Sequence, residues 1–333
     1  MLLYLFRRVI MLVPILMLMS LVAFFLIELP PGDYVSFRIQ QLKMSGVEVS
    51  EDEAVRLMMQ FGLDKPLPAR YWRWITSIVF EGNFGFSLQW NKPVNEILKE
   101  RIPMTIAISL TALLLSWLVA VPIGIFSATH QYSPLDYLFT FFGFIGLATP
   151  GFLLALILSW LLFSKFGFSA LGLQSKEFLE VTTWSWARFV DLLKHLWMPL
   201  LLVGMGNTAA TIRVVRNNLL DELHKQYVIT ARAKGMSEWK LLIKYPVRMA
   251  INPLLSTLSW VLPGLVSGTV LIDIVLSLQT VGPVLLRAVL AQDMVLAGSI
   301  VLILSALTVV GALFGDIALM LADPRIRFGR IQK

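Results

Sequence analysis

Six long uncharged runs set the pattern of this chain. Counted between successive charged residues, they are Val9–Ile27 (19 residues), Ile102–Leu135 (34), Tyr137–Ser164 (28), His195–Ile212 (18), Met249–Ile272 (24) and Met294–Gly315 (22). About 20 apolar residues in a helix cross the hydrocarbon of a bilayer. The pattern predicts six transmembrane helices, the second ending near Thr129. A seventh run, Ile274–Leu286, has 13 residues and contains Gly282-Pro283. It is too short to span and predicts an interfacial or re-entrant segment. Arg7-Arg8 precede the first run as in a signal peptide. That run is longer than a signal peptide's apolar region and no small-x-small cleavage site follows, so it is expected to remain as a first helix.

The polar stretches orient these spans. Arg7 and Arg8 precede the first, and Arg213–Arg248 holds eight basic residues against three acidic. Arg325, Arg327, Arg330 and Lys333 follow the sixth. Short basic segments stay cytoplasmic, which predicts both termini and the 216–248 loop on that side. Asp273–Asp293, with two acids and one arginine, then falls outside, as do Leu29–Arg101 and Lys165–Lys194. The expected organisation is an N-terminus and first helix over 1–28, a small extracytoplasmic segment over 29–101 and an all-α membrane core over 102–333. In the outer segment, Ser50 is a candidate cap and Gly62 a candidate stop for a short helix through Met59.

Composition agrees and narrows the chemistry. The chain is 57% hydrophobic and 15% charged, with a mean hydropathy of +0.75. That is a multi-pass integral membrane protein in contact with the lipid bilayer. Its net charge of +7 belongs to cytoplasmic span ends and not to nucleic-acid binding. There is no cysteine, and His130, His195 and His224 have no metal-ligand spacing. No Gly-Lys dipeptide occurs, so the phosphate-cradling P-loop is absent and the chain cannot hydrolyse nucleotide by that route. No catalytic residue, cofactor or metal is predicted. Glu28, Asp136, Asp273, Asp293 and Asp316 are all expected at span ends, which argues against a proton-coupled relay within the membrane. Two small-residue pairs, Gly264 with Gly268 and Gly311 with Gly315, are candidate helix-packing sites.

The loop between the fourth and fifth spans is the most informative polar segment. Asp221–Thr230 is predicted helical, and Ala231-Arg232-Ala233-Lys234 continues it with strong helix formers. Gly235 suits the position just past a helix C-terminus, where φ is positive, and Ser237 can cap a second helix from Glu238. Binding of anionic lipid would account for the lysines but not for a helix–glycine–helix between two spans.

Tyr227-Val228-x-Thr230-Ala231-Arg232-Ala233-Lys234-Gly235 resembles the coupling loop of ABC importer permeases, in particular the dipeptide/oligopeptide branch and its B-type subunit. Leu5-Phe6-Arg7-Arg8, Pro31-Gly32-Asp33, Gly62-Leu63-Asp64-Lys65-Pro66-Leu67, Phe84-Gly85-x-Ser87-Leu88, Pro150-x-Phe152, His195-Leu196-x-Met198-Pro199 and Ala322-Asp323-Pro324-Arg325-Ile326-Arg327 extend the likeness along most of the chain. Two positions depart from it. Ile229 stands where other branches carry a glutamate, and Gln279-Thr280-Val281-Gly282 replaces the usual P-G-L-G before the last span.

The resemblance implies half of a translocation pore in the inner membrane. A homologous second permease, two ATPase subunits that bind ATP and magnesium, and an extracytoplasmic substrate-binding protein would complete it. It also implies that Tyr227, Thr230, Ala231, Arg232, Ala233, Lys234, Gly235 and Glu238 couple to the ATPase. Ala231 and Gly235 are expected to pack closely there, and Arg232, Lys234 and Glu238 to make polar contacts. Peptides are the expected cargo, with oligosaccharides or nickel complexes as alternatives. A self-sufficient channel is the alternative from another class.

Overall fold

The computed structural model describes residues 2–28, 59, 65–87, 89–179, 185–256 and 269–322. The helix expected through Met59, the Gly264/Gly268 pair and the tail beyond Ala322 fall outside these residues, Met59 itself excepted. The described residues are mostly helical. They form α1 (Leu2–Glu28), α2 (Leu67–Thr76), α3 (Val94–Thr129), α4 (Pro134–Ala148), α5 (Gly151–Phe166), α6 (Trp186–Leu223), α7 (Gln226–Ala233), α8 (Glu238–Lys244), α9 (Pro246–Ala250), α10 (Val270–Val275), α11 (Val281–Leu290) and α12 (Met294–Ala322). A π-helical turn, Ser77–Glu81, continues α2, and a two-residue antiparallel ladder pairs β1 (Phe86–Ser87) with β2 (Lys92–Pro93).

Among the described residues, α1, α3, α6 and α12 are each long and apolar enough to cross a membrane. The run expected as a single third helix is instead broken. α4 and α5 meet at a bend of 100° around Thr149-Pro150. Pro150 supplies no N–H, and the residue before a proline is pushed out of the helical region, as Thr149 is at φ −94°, ψ 125°. If this pair is one span there are up to five, and half of the fifth uncharged run, 257–268, lies outside the described residues. α11 is too short to span, in agreement with the seventh run. α12 continues to Ala322, so Asp316 lies inside a helix and not at its end as expected.

The chain forms two compact units. One comprises the described residues of Met104–Pro283 and Thr308–Lys333. It is organised on α6, 38 residues and about 57 Å long at 1.5 Å per residue. Small residues let neighbours approach α6 closely. A Cβ on Gly124 would lie 2.8 Å from Val215 Cβ, one on Gly146 3.2 Å from Met205 Cγ, and one on Gly204 3.5 Å from the Ala112 carbonyl oxygen. Thr208 donates to Ser116 at 3.0 Å between α6 and α3. A core of Ile108, Ala112, Leu113, Ala155, Met198, Leu202, Ile272, Leu276 and Leu278 fills one end.

The other unit comprises the described residues of Leu2–Pro103 and Val284–Leu307. Arg70 pairs with Glu28 at 2.7 Å, and Tyr71 hydrogen-bonds Ser20 at 2.8 Å, holding α2 on the end of α1. A side chain at Gly298 would overlap Ile27, which requires glycine where α12 crosses α1.

Candidate coupling hairpin

Between α6 and the fifth run the chain builds a compact helical hairpin. Asp221–Thr230 is not one helix as expected. α6 ends at Leu223, Lys225 is extended (φ −73°, ψ 147°), and α7 starts at Gln226. Neither glycine nor proline marks that break, so its cause is tertiary. It lets α7 present Val228 and Ala231 to Leu241 of α8, and these three buried residues form the hairpin's own core with Met236 and Tyr245.

The turn is set by Gly235, at φ +74°. Its N–H donates to the Arg232 carbonyl at 3.0 Å and that of Met236 to the Ala231 carbonyl at 3.4 Å, the Schellman closure of α7. This agrees with the sequence expectation for Gly235. Ser237 occupies the cap position of α8 but makes no side-chain cap bond.

Across the turn, Arg232 Nε donates to Glu238 Oε1 at 2.6 Å and Arg232 Nη2 to Oε2 at 3.1 Å. The two-pronged bond joins a cation in the last turn of α7 to an anion in the first turn of α8, so both helix dipoles favour it. Hydrogen bonds from Arg232 hold the Glu238 carboxyl below the ordinary glutamate range, and the bond to Glu238 raises Arg232 in turn. Tyr227 donates its hydroxyl to Glu222 and lies against the Tyr245 ring at 6.2 Å. Thr230 donates to the Gln226 carbonyl at 2.8 Å.

The eight residues singled out from the sequence therefore have different settings. Ala231 faces the hairpin interior. Tyr227, Thr230, Arg232, Ala233, Lys234, Gly235 and Glu238 are on its surface, with Arg232 and Glu238 engaged to each other. Sequence reasoning did not single out Trp239 and Ile243 as displayed residues; they are 74% and 65% exposed, and Ile229 of α7 is also exposed. The signal was large apolar residues among Lys234, Lys240 and Lys244. Of the packing pairs, Gly311 and Gly315 are buried on α12. The close glycine contacts at Gly124 and Gly146 lie in no G-x-x-x-G pattern and were missed.

The hairpin is rooted in the membrane helices. Leu242 of α8 and Val247 and Ala250 of α9 pack with Ala128 and Ile125 of α3 and with Leu219, Leu220 and Leu223 of α6. Just above, Arg216 of α6 bonds Asp136 of α4 at 2.9 Å, and that carboxylate also accepts the Tyr132 N–H at 3.0 Å. Three membrane helices are thus tied together where the hairpin joins. Among the described residues, no group of His, Cys, Asp or Glu is arranged to hold a metal.

A bundle of apolar helices that carries a compact, surface-displayed hairpin at one junction is a multi-pass membrane protein. The chain belongs to the family described as binding-protein-dependent transport system inner membrane component, whose model matches residues 120–328, with its N-terminal companion matching 1–110. It is 30% identical over 326 residues to the oligopeptide transport system permease protein AppB of Bacillus subtilis, covering 98% of this chain and 99% of that one. It is 28% identical over 363 residues to the inner membrane ABC transporter permease protein YejB of Escherichia coli O157:H7, covering 98% of each. The dipeptide transport system permease protein DppB of Alkalihalophilus pseudofirmus is 27% identical over 340 residues, covering 98% of this chain and 100% of that one.

Proposed function

We propose that this chain forms half of the transmembrane pathway of an ATP-driven peptide importer. A homologous permease supplies the other half, two separate ATPase subunits supply the energy, and an extracytoplasmic binding protein delivers the peptide. The Lys and Arg content of the polar segments supports six spans with both termini and the α7–α8 hairpin in the cytoplasm. The family supports the assembly, and the names of the relatives support peptide as cargo.

The observation that carries the mechanism is the hairpin itself. It shows Ile229, Trp239 and Ile243 to the outside, and through Leu242 and the following α9 it is packed onto the ends of α3 and α6. An ATPase cleft that closes on this apolar face moves the hairpin as a body, and the packed helix ends carry the motion into the spans. The Arg232–Glu238 pair and the Gly235 turn keep the two short helices from splaying under that load. Replacing Trp239→Ala in the complete complex tests this. We expect peptide uptake to fall at least tenfold and co-purifying ATPase to drop, with the permease still inserted. Uptake and ATPase recovery equal to the unaltered complex would refute the hairpin as docking element.

A further inference from the structure

In the unit that contains α1 and α2, a pocket of about 460 Å³ is lined by Gln89, Trp90, Arg287, Leu290 and Ala291. One buried carboxylate fixes its walls. Ser87 donates its hydroxyl to Asp293 Oδ2 at 2.5 Å, and the Gln89 N–H donates to the same oxygen at 3.3 Å. Asp293 Oδ1 accepts the Leu296 N–H at 3.2 Å, so the residue that caps α12 also pins the 87–90 turn. The Trp90 N–H returns to the Ser87 hydroxyl at 3.3 Å.

The charge in this pocket is one-sided. Arg287 is its only ionised lining residue and has no ion-pair partner among the described residues. Among the described residues no carboxylate lines the pocket, and both oxygens of Asp293 are already taken. The buried Trp90 indole N–H also lacks an acceptor among the described residues. A planar guanidinium with a free fork matches a carboxylate. Leu290 is 76% exposed and lines the pocket with Ala291, which gives it an apolar border. A basic centre with an apolar border is the form of a protein-interface anchor, and a small free anion would gain nothing from the border.

We propose that this pocket receives an aspartate or glutamate side chain of the binding protein and so docks the loaded binding protein on this subunit. The proposal rests on the importer assignment, which places 273–293 on the extracytoplasmic side. The test uses the full complex in lipid nanodiscs, titrated with peptide-loaded binding protein while ATP hydrolysis is followed. For Arg287→Glu the concentration giving half-maximal stimulation should rise at least tenfold, and for Arg287→Gln by a smaller factor. Hydrolysis without binding protein should stay unchanged in both. The chain has no cysteine, so Leu290→Cys offers a unique thiol. A photo-cross-linker on it should capture the binding protein, with a lower yield when Arg287→Glu is added.

Unchanged half-saturation in both charge variants would overturn the proposal, as would adducts to lipid alone. Unchanged half-saturation with a raised KM for peptide would transfer the pocket to the carboxylate of the cargo, which also overturns docking. If Arg287→Glu does not assemble, Arg287→Gln and the Leu290→Cys adduct decide by the same criteria. Failure of the unaltered complex to respond to any binding protein would sink the importer assignment itself. A responsive unaltered complex with indifferent variants would sink only the pocket.

Discussion

Glu238 shows how one exposed contact can matter to a moving part while adding little to the stability of the whole. Its bond to Arg232 is solvent-accessible on both sides, the kind of pair that contributes weakly to folding. Its value is local: it spans the one residue, Gly235, at which the hairpin could open. The sign of its pH dependence follows from the lowered carboxyl. A group whose folded pKa is depressed adds stability above its unfolded value, and that stability is lost as pH falls through the folded value. Arg232, raised at the other end of the scale, stays charged throughout. Hydrogen exchange at Met236 and Leu241 should therefore quicken, after correction for intrinsic rates, as pH drops from about 5 to about 3. With Glu238→Gln the corrected protection should be lower and flat over that range. A pH-dependent loss that persists in the variant would assign the effect to another group. Gly235 was legible in the sequence because a positive φ is a demand made by one residue on itself. Ala231 was expected to pack against the ATPase and instead faces the hairpin interior, because its direction depends on Leu241, ten positions on.

At the scale of helices, uncharged run length found the four long apolar helices α1, α3, α6 and α12 but was blind to the break between α4 and α5. It counts Pro150 and Gly151 as apolar, although the first removes a backbone donor and the second brings α5 onto Ile272, 2.8 Å from where a Cβ would stand. It also missed the end of α6 at His224-Lys225, which answers to packing within the hairpin and has no local signal. Helix contacts made by single glycines were equally hidden, since one glycine in an apolar run looks like any other. They are testable in pairs. Gly124→Ala puts a methyl 2.8 Å from Val215 and 3.1 Å from the Ile212 carbonyl, whereas a Cβ on Gly206 meets nothing within 4 Å. Overpacking of this kind costs about 1–3 kcal/mol. Gly124→Ala should lower the melting temperature of the purified permease in detergent by several degrees, and Gly206→Ala should leave it level or raise it. Equal effects would show that α3 and α6 do not pack in this register.

For the whole molecule, the open question of architecture is whether the α4–α5 pair crosses the bilayer or turns back within it. The two answers assign opposite sides to everything between Gly167 and α6. Lys and Arg placement predicts a crossing, since only then does the basic hairpin share a side with the basic N-terminal segment. The bend does not argue against this, because a broken helix can span where it is buried against other protein, and α5 packs through Ala155 against Met198 and Ile272. The natural absence of cysteine makes the test direct. Single cysteines at Gln131, before α4, and at Lys165, in the last turn of α5, are both at exposed positions. With a membrane-impermeant maleimide on intact cells, Lys165→Cys should label and Gln131→Cys should label only after permeabilisation. Lys234→Cys, on the hairpin, should follow Gln131→Cys, and Gln292→Cys, after α11, should follow Lys165→Cys. Labelling of Gln131→Cys and Lys165→Cys from the same side would make the pair re-entrant. It would also place the hairpin and the N-terminus on opposite faces, and the ATPase could then reach the hairpin only if the N-terminus were outside.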